Sequence, residues 1–363
     1  MRPRPRSDMS ALVIFSPMPT IGLLRDARFQ AHETTPNHPE HPARLQVIEA
    51  LLDETRRADA CVALAARPAV DHEILRVHQP APVEMLQGAH EAAQTERVFI
   101  DPDTVMSAHS LEAARLAAGG VVDAARALVR GELDAAFCLP RSPGHHATPD
   151  QVMGFCLINH ISIAAADLLH AGNVERIAIV DFDVHHGNGT QDIFIADPRV
   201  FYASTHQFPH YPGTGRVDEL GLGEGAGSNC NLPLPSRCGD EEYLRCFDEV
   251  ILPVVRRYRP QFLFVSAGFD AHWRDPLAGQ QISGPGYRAI AERLHGLAAE
   301  LDVPTLYMLE GGYDLEAIAW SVRHCVDVLL GNPPVADPVG AAPSAAAPSI
   351  DQLLAQAREV HGL

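Results

Sequence analysis

The sequence predicts an α/β protein built on a parallel sheet with helices on both faces. Two observations predict it. Short, continuous apolar runs, the mark of strands buried on both sides, alternate with segments of helical periodicity. Each of several such runs also ends in a cluster of His, Asp or Gly, and in parallel sheets ligands bind at the carboxyl ends of the strands. At about 150 residues per domain, 363 residues allow one large domain or two ordinary ones, and no internal repeat divides the chain.

In order along the chain, residues 1–10 read as a flexible arm and 11–15 (ALVIF) as a first strand. Residues 30–42 form a polar, proline-rich loop, followed by a helix over about 43–57 with Leu45, Ile48, Leu51 and Leu52 at helical spacing. A long alanine-rich helix is expected over 109–130, stopped by Gly131. Strands are expected at 135–139, 176–183, 200–204, 261–266 and 305–309, and helices at 160–171, 240–258, 285–301 and 314–330. The body of the domain is then 11–331. Residues 332–349 are low-complexity and linker-like, and 350–363 close the chain with a short amphipathic helix over 350–360.

Composition narrows the function classes. The formal net charge is −18, and all 28 basic residues are arginine. So acidic a protein repels phosphate backbones, which argues against nucleic-acid binding and favours cationic substrates. No stretch of about 18 uncharged apolar residues exists, so no membrane span is expected. The opening MRPRPRSDMSALVIF lacks a signal-peptide pattern. Seven cysteines without a C-x-x-C suit a reducing compartment, here the cytoplasm.

Four motifs carry chemistry. Asp181-Phe182-Asp183-Val184-His185-His186-Gly187-Asn188-Gly189 ends the run RIAIV. Residues two apart in a strand point the same way, so Asp181, Asp183 and His185 share one side, half of a divalent metal site. Asp270, in Ser266-Ala267-Gly268-Phe269-Asp270 after another apolar run, supplies a third ligand and leaves an open position. Pro143-Gly144-His145-His146 offers two imidazoles to a cleft, the natural proton carriers near neutral pH. Glu310-Gly311-Gly312-Tyr313 lets a tyrosine hydroxyl swing inward as an oxyanion donor. Other features read as ordinary: Gly221, Gly223, Gly225 and Gly227 lack a strand-turn-helix setting, Cys230, Cys238 and Cys246 read as packed thiols, and His32, His38 and His41 as part of a solvated loop.

These motifs, in this order, resemble the histone deacetylase family of metal-dependent acetyl-amide hydrolases. The resemblance runs from about His32 to Leu330. It takes in the Pro-Glu-x-Pro-x-Arg stretch at 39–44, Gly154-Phe155-Cys156 and Pro212-Gly213-Thr214-Gly215. Asn188, where class I members carry Asp, together with GFDAHWRDPL, is similar to the class II branch and its bacterial relatives. The resemblance implies the fold shared with arginase, a single domain around an eight-stranded parallel sheet. It also implies Asp183, His185 and Asp270 as ligands of one zinc ion. His146 becomes the general base supported by Asn188, His145 the second imidazole oriented by Asp181, and Tyr313 the carbonyl-polarising donor. Phe155, Tyr211 and Leu277 line a narrow channel floored by Gly154, and Asp103 matches a rim Asp that holds substrate backbone. A structural potassium ion near Asp181, Asp183, His185 and Ser204 is implied as well.

Ferrous iron suits the same donors as zinc. The substrate implied is an acetylated lysine in a protein or peptide, with an acetylpolyamine or other small acetylated amine as the alternative. Leu277 offers no charge for a distant ammonium and favours the former. Two rivals remain: a non-catalytic acyl-lysine binding module, and a two-metal ureohydrolase of the arginase type. The second is disfavoured because Gly187 and His272 stand where that site needs carboxylates. A homo-oligomer is allowed, with the 30–42 loop and the C-terminal helix as candidate contacts.

Overall fold

A computed structural model describes residues 19–343 and 346–363. The arm at 1–10 and the strand expected at 11–15 lie outside the described residues. Ten strands are described: β1 (Ile21–Leu24), β2 (Val62–Leu64), β3 (Val98–Phe99), β4 (Val105–Met106), β5 (Ala135–Cys138), β6 (Ile177–Asp181), β7 (Val200–Gln207), β8 (Asn229–Leu234), β9 (Phe262–Ala267) and β10 (Thr305–Leu309). Eight form one sheet in the order β2-β1-β5-β10-β9-β6-β7-β8, parallel throughout; β3 and β4 pair separately as a short antiparallel ribbon. The fold class is therefore the one expected, an eight-stranded parallel sheet flanked by helices.

Every residue of β5, β6, β9 and β10 is buried, as unbroken runs such as IAIVD and TLYML require. The helices Ser110–Val129 and His160–His170 pack together, and Ala43–Glu54, Gly284–Leu301 and Leu315–Leu329 form a second group. Side chains fix where helices begin: Asn159 accepts from the Ser162 N–H, and Asp314 from the Ala317 N–H. The helix expected at 240–258 is interrupted by a π turn at Phe247–Ile251. Pro253 has no N–H and its ring clashes with the carbonyl four residues back, which a widened turn accommodates.

Strand β8 was not expected, because its asparagines break the apolar pattern. Asn229 and Asn231 instead turn inward and donate to Gln191 Oε1 at 2.9 and 2.8 Å. The C-terminal helix Asp351–His361 packs on β8, so this edge strand is covered. The segment before it has neither helix nor strand in its described residues, yet it is tied down. Trp273 Nε1 donates to the Gly340 carbonyl at 3.0 Å, and Arg288 to the Asn332 carbonyl at 2.8 Å. Among the described residues, no helix is long and apolar enough to cross a membrane.

The 30–42 loop departs from the solvated loop expected. His32, Glu40 and Arg44 are all buried. Glu40 accepts a two-pronged pair of bonds from Arg141 at 2.6 and 3.0 Å, and a third from Arg44 at 3.2 Å. Burial opposes its charge, but Arg141, His32 and Arg44 overcome this and hold the carboxyl well below the usual range. Replacing Glu40 by Gln strands two buried guanidinium groups and is expected to cost about 3–5 kcal/mol of stability. Urea denaturation reads it; a loss under about 1 kcal/mol, the scale of a surface pair, would remove the network from the fold's supports. A depressed carboxylate contributes above its unfolded value near 4.5, so this stabilisation fades as pH falls below that value.

Candidate active site

Sheet order brings the motifs together. β5, β10, β9, β6 and β7 are consecutive neighbours, and a motif follows the carboxyl end of each. Asp181 at the end of β6 is in register with Ser266 on β9 and Ser204 on β7. The loops after these strands therefore converge on one point.

Asp183, His185 and Asp270 each offer a donor atom, and all three atoms lie within 4.8 Å of one another. His185 Nδ1 is 3.2 Å from an Asp183 oxygen and 3.1 Å from an Asp270 oxygen. Backbone N–H groups hold the carboxylates still: Gly311 donates to Asp183 at 2.8 Å, and Val184 to Asp270 at 2.8 Å. A Cβ on Gly311 would collide with both carboxylates, so only glycine lets the chain pass so close. Burial disfavours charge on His185, but Asp183 and Asp270 raise it to about 10. Burial likewise opposes ionisation of Asp183, and the His145 and His185 rings overcome it and pull that carboxyl far down. Two carboxylates and an imidazole, buried and crowded, call for positive charge between them. This donor set fits a divalent ion such as zinc or ferrous iron.

The paired histidines sit beside this cluster with rings 4.0 Å apart. His145 Nδ1 donates to Asp181 Oδ2 at 3.0 Å, and Tyr202 donates to the same oxygen at 3.0 Å. His146 Nδ1 is 2.8 Å from Asn188 Oδ1. An amide oxygen accepts, so Nδ1 carries the proton and Nε2 keeps a free lone pair. The two environments push the rings apart. Burial works against charge on both, but Asp183, Asp181 and Glu310 raise His145 to about 10. His146 is held well below the usual histidine range by burial and by the neighbouring His145 and His185 rings.

A cavity of about 230 Å³ leads down to these groups. Phe155, Tyr211, Leu277, Gly154, His146, His185, Tyr313 and Asp103 all line it. Gly154 has φ +59°, and a Cβ there would come within 2.5 Å of the His146 ring. Phe155 meets the Tyr313 ring edge-on at 5.8 Å. Burial raises the Tyr313 phenol well above its ordinary value, so it remains a donor at neutral pH. Asp103 is half-buried and raised by burial and by Asp101.

The catalytic, metal-type and channel residues expected from the sequence lie together here. Ser204 lies one strand over from Asp181 and bonds His206 at 2.9 Å. Two residues were missed. His210 lines the cavity, stacks on His185 at 5.1 Å and lies 2.9 Å from the Leu277 carbonyl. Asp275 accepts from the Leu277 and Tyr313 N–H groups at 2.9 and 2.7 Å. Burial and Asp270 push its carboxyl up to about 8, with those donors working the other way. His210, next to Tyr211 and Pro212, was the more findable of the two.

Residues 38–329 match the histone deacetylase domain model. The chain belongs to the histone deacetylase family. It is 40% identical over 301 residues to a probable deacetylase of Archaeoglobus fulgidus, covering 81% of this chain and 82% of that protein. It is 38% identical over 338 residues to histone deacetylase 5 of Arabidopsis thaliana, covering 89% of this chain but only 51% of the plant protein. The chain therefore spans about half of that longer relative. The crystal structure of the HDA15 HD domain superposes with a TM-score of 0.85 at 33% identity, covering 94% of each chain. For this histone deacetylase family member, membership supports an amide hydrolase of the deacetylase type, and the shared fold is the arginase-like one.

Proposed function

We propose that the chain is a zinc-dependent deacetylase that hydrolyses the acetyl amide of a lysine-like amine to acetate and free amine. The observation that carries this reading is one cavity lined by His146, His185 and Tyr313, with His185 clustered with Asp183 and Asp270 as metal-type donors. Asp183, His185 and Asp270 would hold one ion. When bound, zinc polarises the acetamide carbonyl and acidifies a water molecule.

The chain's own groups supply the rest. His146 Nε2 takes the water's proton, since its ring is kept neutral and its Nδ1 proton is engaged by Asn188. Asp181 orients His145 through its Nδ1. The leaving amine draws its proton from this histidine pair. The Tyr313 hydroxyl donates to the oxygen that becomes anionic. Phe155 and Tyr211 hold an aliphatic chain and exclude water, while Asp103 at the rim holds substrate backbone.

An uncharged Leu277 in the cavity lining, with no charge for a distant ammonium, favours an acetyl-lysine side chain over an acetylpolyamine. Asn188 in place of Asp supports the class II branch. Backbone oxygens near Asp181, Asp183, His185 and Ser204 are the proposed seat of a structural potassium ion. Seven free thiols, six of them buried, support a cytoplasmic setting. Purified protein is expected to cleave a fluorogenic acetyl-lysine peptide, to lose that turnover on chelation and to regain it with zinc. Metal-loaded protein inactive on both this peptide and acetylputrescine would overturn the proposal and bring the binding module forward.

A further inference from the structure

We propose that Asp275 is a positioning residue that aims the Tyr313 hydroxyl by gripping the peptide between Gly312 and Tyr313. The inference rests on the deacetylase reading for its kinetic consequence. The geometry stands without it.

Tyr313 follows a Gly-Gly pair, and Gly312 has φ +115°. Such a backbone has no intrinsic reason to hold one orientation. A flip of the 312–313 peptide would swing the tyrosine away from the cavity. Both poles of that peptide are held by side chains. Arg44 Nε donates to the Gly312 carbonyl at 2.6 Å, and the Tyr313 N–H donates to Asp275 Oδ2 at 2.7 Å. The Arg44 bond is charge-assisted, and bonds of that kind are roughly twice as strong as neutral ones. Arg44 also reaches the Glu310 carbonyl at 2.5 Å, so the loop is pinned from one side at two points.

Asp275 holds the other pole of this peptide, beside the Phe269 N–H bond to the Gly311 carbonyl at 3.1 Å that also joins the two loops. It is 7% exposed, and its oxygens are occupied by main-chain donors, with Oδ1 accepting from Leu277 at 2.9 Å. Burying a carboxyl group is costly unless its oxygens are hydrogen-bonded. Here it ties the loop after β9, which carries Asp270 and Leu277, to the loop after β10, which carries Tyr313. One side chain therefore links the Leu277 stretch of the cavity lining to the proposed oxyanion donor.

The test is a double-mutant cycle with Tyr313→Phe, read in kcat and KM on the acetyl-lysine peptide with metal content recorded. Misplacing a donor by about 1 Å can cost about 10²-fold. Asp275→Ala is expected to lower kcat by about that factor, with KM little changed and metal retained. In the Tyr313→Phe background the same substitution is expected to cost almost nothing, because the group it positions is gone. Asp275→Asn keeps one acceptor oxygen and covers the case in which the alanine variant folds poorly; its loss is expected to be smaller and equally absent in the Tyr313→Phe background. Equal losses in both backgrounds would make Asp275 a general support and overturn the proposal. Hydrogen exchange at the Tyr313 amide gives a readout independent of turnover. Exchange is expected to be slow in the parent protein and fast in Asp275→Ala, and unchanged protection would also overturn it. Inactive parent protein would remove the deacetylase reading while leaving exchange to decide the clamp.

Discussion

Tyr313→Phe is expected to reduce turnover by about 10²–10³-fold while leaving metal content and fold unchanged. The substitution removes one hydroxyl and nothing else. The ring keeps its edge-on contact with Phe155 at 5.8 Å and its place beneath the Arg44 guanidinium at 4.9 Å. Tyr313 is not among the three clustered donors, so metal binding has no reason to fall. The loss should appear in kcat rather than KM, because the hydroxyl is asked to stabilise charge that exists only as the carbonyl is attacked. Steady-state kinetics beside elemental analysis separates these effects. A rate close to the parent's would take the oxyanion role from Tyr313 and return it to a packing residue.

The sequence was most legible where its chemistry is densest. The runs at 135–139, 176–183, 200–204, 261–266 and 305–309 all contain strands, because buried parallel strands leave unbroken apolar signatures. The site residues lie at the ends of those same strands, so strand and motif announced each other. What went unread had a different physical origin. β1 and β2 are only four and three residues long, too short for any pattern to stand out. β8 is masked by asparagines that face a polar network around Gln191 rather than an apolar core. The helix Pro80–Ala93 carries glycine and two prolines in its sequence and has a weakly apolar face. The His32–Glu40–Arg141 cluster looked solvated because polar residues bury only when partners arrive from distant chain, here 109 and 101 residues away. His210 and Asp275 act through backbone groups brought close by folding, and no local spacing foretells that.

Asp183→Ala is expected to abolish both metal retention and turnover, the largest effect of any single replacement here. Asp183 does more than supply one of three donors. One of its oxygens accepts the Gly311 N–H at 2.8 Å and the other the His185 N–H at 2.9 Å, so it also fixes two of the loops that meet at the site. With alanine there, Asp270 and His185 remain as a two-donor remnant. The cluster loses the most strongly ionised of its carboxylates. Elemental analysis after dialysis should find far less than one ion per chain, against about one for the parent protein. Thermal unfolding offers a second reading. A ligand at 100 times its dissociation constant stabilises the folded state by about 2.7 kcal/mol, so added zinc should raise the parent's melting temperature and leave the variant's unmoved. Full occupancy in the variant would remove Asp183 from the ligand set. Two ions per parent chain would instead favour the arginase-type rival, despite Gly187 and His272 standing where its second site needs carboxylates.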